Sequence, residues 1–144
     1  KLMNQEAQKI GAVHTNFVNS HGLHDDNHYT TAYDMYLIFN ELIKYDTFLN
    51  IINQNSYKAE YQDRNGNKKT VTFRTTNLYL TDEKTPPENL QIIGGKTGST
   101  SKAGNCLILL SKDGENNQYI SLVLKASGSD KLYSDMSNLF LLIK

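Results

Sequence analysis

The sequence is poor in several features that would point to particular classes of protein. Cys106 is the one cysteine among 144 residues, so an internal disulfide is excluded. Basic and acidic residues balance at 15 each, which leaves none of the basic excess that nucleic acids or anionic membranes attract. No apolar run reaches the length of a membrane-spanning helix. The length suits one domain with its own core, and we expect no nucleic-acid partner.

The first part of the sequence carries helical signals. Residues 3–10 predict a short helix that ends at Gly11, and the polar residues 12–29 predict an irregular loop. Thr31 and Asp34 fit a capping box, with aspartate where glutamate or glutamine is usual. The apolar residues that follow repeat with the helical period, so a second helix is expected there.

Beyond this point the apolar period changes to two. Residues 57–61 and 71–75 alternate between apolar and polar side chains around an Asn-Gly turn, which predicts a β-hairpin. We expect the hairpin aromatics to pack against the body of the domain; these are Tyr57, Tyr61 and Phe73. Three further strands and a closing helix are predicted: a strand into Lys96, residues 105–111, residues 119–126, and a helix from Ser129. The expected fold is α+β, an antiparallel three-stranded meander plus a hairpin, with packed helices.

The end of the first meander strand carries the most chemistry. It reads Ile92-Ile93-Gly94-Gly95-Lys96-Thr97-Gly98-Ser99-Thr100. The ammonium group of Lys96 and the hydroxyl of Thr97 could together hold a carboxylate. Gly98 has no side chain and would let a peptide backbone approach the strand closely.

Three segments in this order resemble the serine-type D-alanyl-D-alanine carboxypeptidases, which are low-molecular-mass penicillin-binding proteins. The first is the Met-Asn-x-x-Ala helix with its glycine: Met3, Asn4, Ala7 and Gly11. The second joins an Asn-x-x-Gly-Leu stretch to a His-Tyr-Thr-Thr-Ala-x-Asp stretch, here residues 19–23 and 28–34. The third is Lys96-Thr97-Gly98 followed by Ala103-Gly104.

The resemblance implies a partial β-lactamase/transpeptidase-like fold, with residues 1–144 forming a single partial domain. It implies that Lys96, Thr97 and Gly98 bind substrate and that the backbone N–H of Ser99 is half of an oxyanion hole. In the family, the nucleophilic Ser-x-x-Lys and the Ser-x-Asn element precede the Met-Asn helix. We therefore expect this chain to lack the nucleophile, the first strands and the nucleophile helix. No metal or organic cofactor is expected.

Three other patterns have a chemical interpretation that we consider weaker. Ser99 and Lys102 have the Ser-x-x-Lys spacing, but the serine follows a strand and no helix is signalled. Cys106 could be a nucleophile, although its apolar neighbours favour a buried, inert thiol. A metal cluster is conceivable in the loop, but its spacing matches no common template: His21, His24, His28, Asp25 and Asp26.

The resemblance predicts that the parent protein trims peptidoglycan stem peptides ending in D-Ala-D-Ala, outside the cytoplasm at the bacterial cell envelope. β-Lactams would bind the intact protein, whereas this chain alone would be inactive. Two alternatives remain open: a non-catalytic wall-binding or regulatory module of the same fold, and a β-lactamase fragment. Strand 119–126 is expected to expose an edge that pairs with the missing N-terminal half or drives self-association.

Overall fold

A computed structural model describes residues 1–143 of the chain. The elements in chain order are α1 (Leu2–Lys9), α2 (Ala32–Leu42), α3 (Asp46–Ile52), β1 (Ser56–Gln62), β2 (Lys68–Arg74), β3 (Leu90–Thr100), β4 (Gly104–Asp113), β5 (Gln118–Ala126) and α4 (Ser129–Phe140). The predicted α+β class and the predicted order of elements are confirmed.

The last three strands form an antiparallel sheet in the order β3-β4-β5. The central strand β4 is apolar at successive positions because both of its faces are covered. Leu107 and Leu109 face one core, while Ile108 and Leu110 face the other. Burying a side chain of this size stabilises the fold by about 1.5–3 kcal/mol. The sheet is therefore held in place from both sides.

Helices supply the two covering layers. On one face, α4 contributes Leu132, Met136 and Phe140 to a cluster that includes Tyr79. On the other face, Phe39 of α2 and Ile52 of α3 pack against the sheet. Helices therefore cover both faces of the sheet, which gives a layered α+β domain.

Thr31 caps α2 as predicted, because its hydroxyl accepts a hydrogen bond from the backbone N–H of Asp34 at 3.1 Å. The second half of the predicted capping box is wrong. The carboxylate of Asp34 is buried and accepts hydrogen bonds from the N–H of His14 and the hydroxyl of Thr15, both at 2.7 Å. The carboxylate of Asp34 therefore binds the loop before the helix, and not the N–H of the capping residue as in a capping box.

The β1–β2 hairpin has the predicted turn, with Gly66 at φ +80° where a side chain would be strained. The predicted burial of its aromatic side chains is wrong. Tyr57 and Phe73 are each 59% exposed and Tyr61 is 51% exposed. The two strands pair with each other and with no other strand among residues 1–143, so the hairpin projects from the body.

Strand β5 lies at the outer edge of the sheet. Within the described part of the chain it pairs with β4 alone, which leaves its other edge without a strand. Across residues 1–143, no helix is both long enough and apolar enough to cross a membrane.

Candidate functional site

The Lys-Thr-Gly segment lies on the other outer strand of the sheet, β3. Over residues 1–143, β3 pairs with β4 on one side and with no strand on the other. Lys96, Gly98 and Ser99 are exposed and Thr97 is partly exposed. An outer strand has a row of backbone N–H and C=O groups that are free to pair with an extended peptide.

A cavity of about 400 Å³ runs beside this segment, between the end of β3 and the start of α4. Its lining is rich in hydroxyl groups: Thr76, Thr97, Ser99, Ser129 and Tyr133. Lys96, Gly98, Asn105, Cys106 and Leu132 complete it. The three residues predicted to bind substrate, together with Ser99, therefore border one groove.

Lys96 and Thr97 make different local contacts. The ammonium group of Lys96 donates a hydrogen bond to the carbonyl oxygen of Thr97. None of the ion pairs found among residues 1–143 includes Lys96. The hydroxyl of Thr97 contacts the hydroxyl of Thr76. A cation without a carboxylate partner beside a pair of hydroxyls is suited to bind a small anionic group.

Glycines shape the strand before the site. A Cβ added to Gly94 would lie 2.7 Å from the carbonyl oxygen of Ile52, and one added to Gly95 would lie 2.3 Å from that of Ile108. Both distances are far below van der Waals contact, so glycine is needed there for packing. A Cβ added to Gly98 would meet nothing within 4 Å. Packing therefore gives no reason for glycine at position 98.

Cys106 does not have the buried position that the sequence predicts. It is partly exposed, borders the cavity and pairs with Gly98 across the sheet. Its Sγ accepts a weak contact from the N–H of Lys125 at 3.5 Å. The thiol therefore lies at the border of the groove and not in the apolar core.

Ser99 and Lys102 do not form a helical Ser-x-x-Lys motif. Strand β3 continues through Thr100, and a turn follows before β4 begins at Gly104. A serine and a lysine three residues apart lie over each other only when a helix turns between them. The interpretation of this pair as a chance match agrees with the structure.

The histidines of the loop have local partners. The ring of His28 packs edge-on against Phe17, with ring centroids 5.7 Å apart, and His24 lies 3.1 Å from the carboxylate of Asp26. Among residues 1–143, no group of three His, Cys, Asp or Glu side chains is arranged to hold a metal ion.

The same loop is fixed by two polar side chains from the helices on either side of it. Asn4 of α1 accepts a hydrogen bond from the N–H of Phe17 at 2.7 Å and donates one to Asn16 at 2.9 Å. Asp34 of α2 receives the bonds from His14 and Thr15. Burial opposes ionisation of Asp34, but these hydrogen bonds outweigh it and lower the pKa of the carboxyl.

Comparison with known proteins places the chain in a family. Residues 1–128 match the family model described as D-alanyl-D-alanine carboxypeptidase. The chain belongs to the D-alanyl-D-alanine carboxypeptidase family. It is 35% identical over 130 residues to D-alanyl-D-alanine carboxypeptidase DacF of Bacillus subtilis, covering 88% of this chain and 30% of that protein. It is 32% identical over 124 residues to DacA of Haemophilus influenzae, covering 86% and 28%.

Solved structures of similar proteins have the same fold. The chain is similar to the Streptomyces K15 DD-transpeptidase, with TM-score 0.80 and 27% identity, over 97% of this chain and 51% of that one. It is also similar to penicillin binding protein 5 from Haemophilus influenzae, with TM-score 0.73 and 27% identity, over 97% and 37%. The chain thus spans about 30% of its curated relatives.

The sequence did not point to Thr76 as a residue of the groove, and only the family resemblance indicated that Tyr133, at the start of the last helix, lies near the substrate carboxylate. Thr76 lies in the irregular connection between β2 and β3, and Tyr133 lies in α4 among apolar residues that define its buried face. Neither position is part of a recognisable motif. Only the folded arrangement brings both beside Thr97.

Proposed function

We propose that this chain supplies the substrate-binding strand of a serine-type D-Ala-D-Ala carboxypeptidase that trims peptidoglycan stem peptides. The observation that supports this most is the outer strand β3, which presents Lys96, Thr97 and Gly98 along an open groove. Membership of the D-alanyl-D-alanine carboxypeptidase family supports the same reaction.

In this proposal the terminal carboxylate of a D-Ala-D-Ala peptide binds the ammonium group of Lys96 and the hydroxyl of Thr97. The extended peptide adds to the free edge of β3 and passes over Gly98. The N–H of Ser99 donates to the carbonyl oxygen under attack, a contribution of about 3–4 kcal/mol to transition-state stabilisation. The reaction as proposed uses no metal or organic cofactor.

The attacking serine belongs, in this proposal, to the part of the domain that the relatives have beyond the length matched here. Hydrolysis and acylation would then require that part, and this chain alone would perform neither. β-Lactams would acylate the serine of the intact protein. The site of action would be outside the cytoplasm, at the bacterial cell envelope.

The rest of the domain would cover surfaces that this chain leaves open. The free edge of β5 would pair with its first strand, or with a second copy of this chain when that strand is absent. The rest of the domain would also contact a group of exposed apolar side chains near Lys96. Ile51, which is 63% exposed, lies there beside Tyr57 and Phe73.

The proposal is tested by titrating the isotopically labelled chain with diacetyl-L-Lys-D-Ala-D-Ala and following its amide resonances. We expect saturable shifts centred on Lys96, Thr97, Gly98 and Ser99. The matched control is the same peptide ending in L-Ala-L-Ala, which should shift them much less. Equal shifts with both peptides, or none with either, would refute the substrate-strand assignment.

The activity of the intact protein requires a separate experiment. Fluorescent penicillin should label it covalently and should not label this chain alone. An intact protein that stays unlabelled would exclude a penicillin-sensitive serine peptidase and would favour the non-catalytic alternative.

A further inference from the structure

Tyr133 connects the buried face of α4 to the edge of the groove. Its side chain is 4% exposed and packs in the cluster beneath the sheet. The hydroxyl accepts a hydrogen bond from the N–H of Leu78 at 2.9 Å and donates one to the carbonyl oxygen of Thr76 at 3.4 Å. A phenol has one hydrogen to donate, so both of its hydrogen-bonding roles are directed at the same short segment.

That segment is otherwise held mainly by its own residues. The N–H of Asn77 donates to the hydroxyl of Thr75, and the side chain of Asn77 accepts from the N–H of Tyr79. Among residues 1–143, the hydrogen bonds that join residues 76–78 to the sheet and helix layers are those made with Tyr133 and Thr97. Packing of Leu78 against the apolar cluster also holds the segment, but its hydrogen bonds to the rest of the domain depend on Tyr133 and Thr97.

Thr76 transmits this constraint to the site. Its hydroxyl contacts the hydroxyl of Thr97, and both side chains line the groove. When the Thr76 hydroxyl donates to Thr97, the single hydrogen of the Thr97 hydroxyl is free to donate to a carboxylate oxygen. In that arrangement a fixed Thr76 hydroxyl directs the donor of the Thr97 hydroxyl away from Thr76.

We propose that Tyr133 is a positioning residue for the substrate strand, acting through the backbone of residues 76–78 and the hydroxyl of Thr76 on the hydroxyl of Thr97. The proposal rests on the proposed function in one respect, that Thr97 binds the substrate carboxylate. Tyr133 itself touches no reacting atom in this arrangement.

The test compares Tyr133→Phe with Tyr79→Phe in the full chain. Tyr79 is a matched control because it is 6% exposed, its ring lies 5.3 Å from that of Tyr133, and its hydroxyl makes none of the bonds to residues 76–78. We expect Tyr133→Phe to speed hydrogen exchange at the Leu78 amide by about 2- to 10-fold, the range for one lost hydrogen bond. The Thr97 resonances should move as well. Tyr79→Phe should change neither.

The second measurement is binding of diacetyl-L-Lys-D-Ala-D-Ala. Tyr133→Phe should raise its Kd several-fold, and Tyr79→Phe should not. Thr76→Val should have the same effect as Tyr133→Phe, whereas Thr76→Ser, which keeps the hydroxyl, should restore binding. If Tyr133→Phe fails to fold, the comparison of Thr76→Val with Thr76→Ser tests whether the hydroxyl of residue 76 orients Thr97.

The outcomes separate this proposal from the proposed function. Unchanged Leu78 exchange and Thr97 resonances in Tyr133→Phe would overturn the positioning role even if the peptide binds. The same changes in both tyrosine variants would also overturn it, because the effect would then be one of core packing. If the wild type binds no peptide while exchange and resonances respond to Tyr133→Phe alone, the positioning role holds and the proposed function fails.

Discussion

Replacing Gly98 by alanine tests the proposed site with little disturbance of the fold. The added methyl group would have no heavy atom within 4 Å, and Gly98 does not have a positive φ. Glycine in a strand costs backbone entropy relative to alanine, so the free energy of unfolding should stay within about 1 kcal/mol of wild type or rise slightly. The folded chain should therefore be as stable as before.

Binding should respond differently from stability. The methyl group of Gly98→Ala would enter the groove beside Thr97, where the proposed peptide backbone lies. An extra methyl group in a fitted contact costs about 1–3 kcal/mol, which corresponds to a loss in affinity of about 5- to 150-fold. The assay is the amide-resonance titration with diacetyl-L-Lys-D-Ala-D-Ala, run beside urea unfolding of the same variant.

Gly95→Ala is the matched control on the same strand. Its Cβ would lie 2.3 Å from the carbonyl oxygen of Ile108 and 2.7 Å from a methyl carbon of Leu109, so the backbone must shift. We expect a loss in stability of at least about 1–3 kcal/mol. If Gly98→Ala binds the peptide as tightly as wild type, the peptide does not pass over residue 98 and the reasoning is refuted. If Gly98→Ala lowered the free energy of unfolding as much as Gly95→Ala, Gly98 would be required for folding and not for binding.

Three further predictions concern stability and association. Because the pKa of Asp34 is lowered in the fold from 3.8, its carboxylate stabilises the chain fully above pH about 4, and this contribution is lost as pH falls through the folded value. Thermal melts of Asp34→Asn should therefore show lower stability at pH 7 and a shallower decline on acidification, and an unchanged pH profile would contradict this. Leu109→Ala, at a fully buried position of β4, should lower the free energy of unfolding by about 2–5 kcal/mol in urea, and a loss below 1 kcal/mol would contradict the described core. The free edge of β5 should make the chain self-associate in light scattering. Leu124→Lys should reduce this association, because Leu124 is a partly exposed residue of β5 outside both apolar clusters. A monodisperse wild-type monomer at high concentration would contradict association through this edge.

The strands and their order could be predicted from the sequence because their signals are local. Alternation with period two and an Asn-Gly turn define the hairpin, and short turns leave no other pairing for residues 105–111 and 119–126. The place of Lys96 at the end of a strand follows from the same pattern. Its position at an edge of the sheet follows from the family resemblance, whereas the groove beside it and the residues that line the groove required the structure.

The errors have a common physical origin, since each depends on what the fold places next to a residue. Cys106 sits in an apolar stretch, yet it is partly exposed because its position on β4 borders the groove. The hairpin aromatics alternate as buried residues do, but each remains more than half exposed to solvent. Asp34 has the spacing of a capping residue, but its carboxylate accepts hydrogen bonds from the loop that folds back over it.

The three glycines of β3 have different roles, and the atoms around each glycine indicate whether it serves folding or binding. Gly94 and Gly95 are closed in by the carbonyl oxygens of Ile52 and Ile108, so any side chain there would displace α3 or β4. Gly98 has open space around it and costs the strand backbone entropy that alanine would recover. Since the fold does not require glycine at this position, its presence has another cause, and we attribute it to binding in the groove beside it. A ligand backbone that passes over Gly98 would occupy the space that a methyl group would otherwise take, so this position should constrain binding and leave folding nearly unaffected.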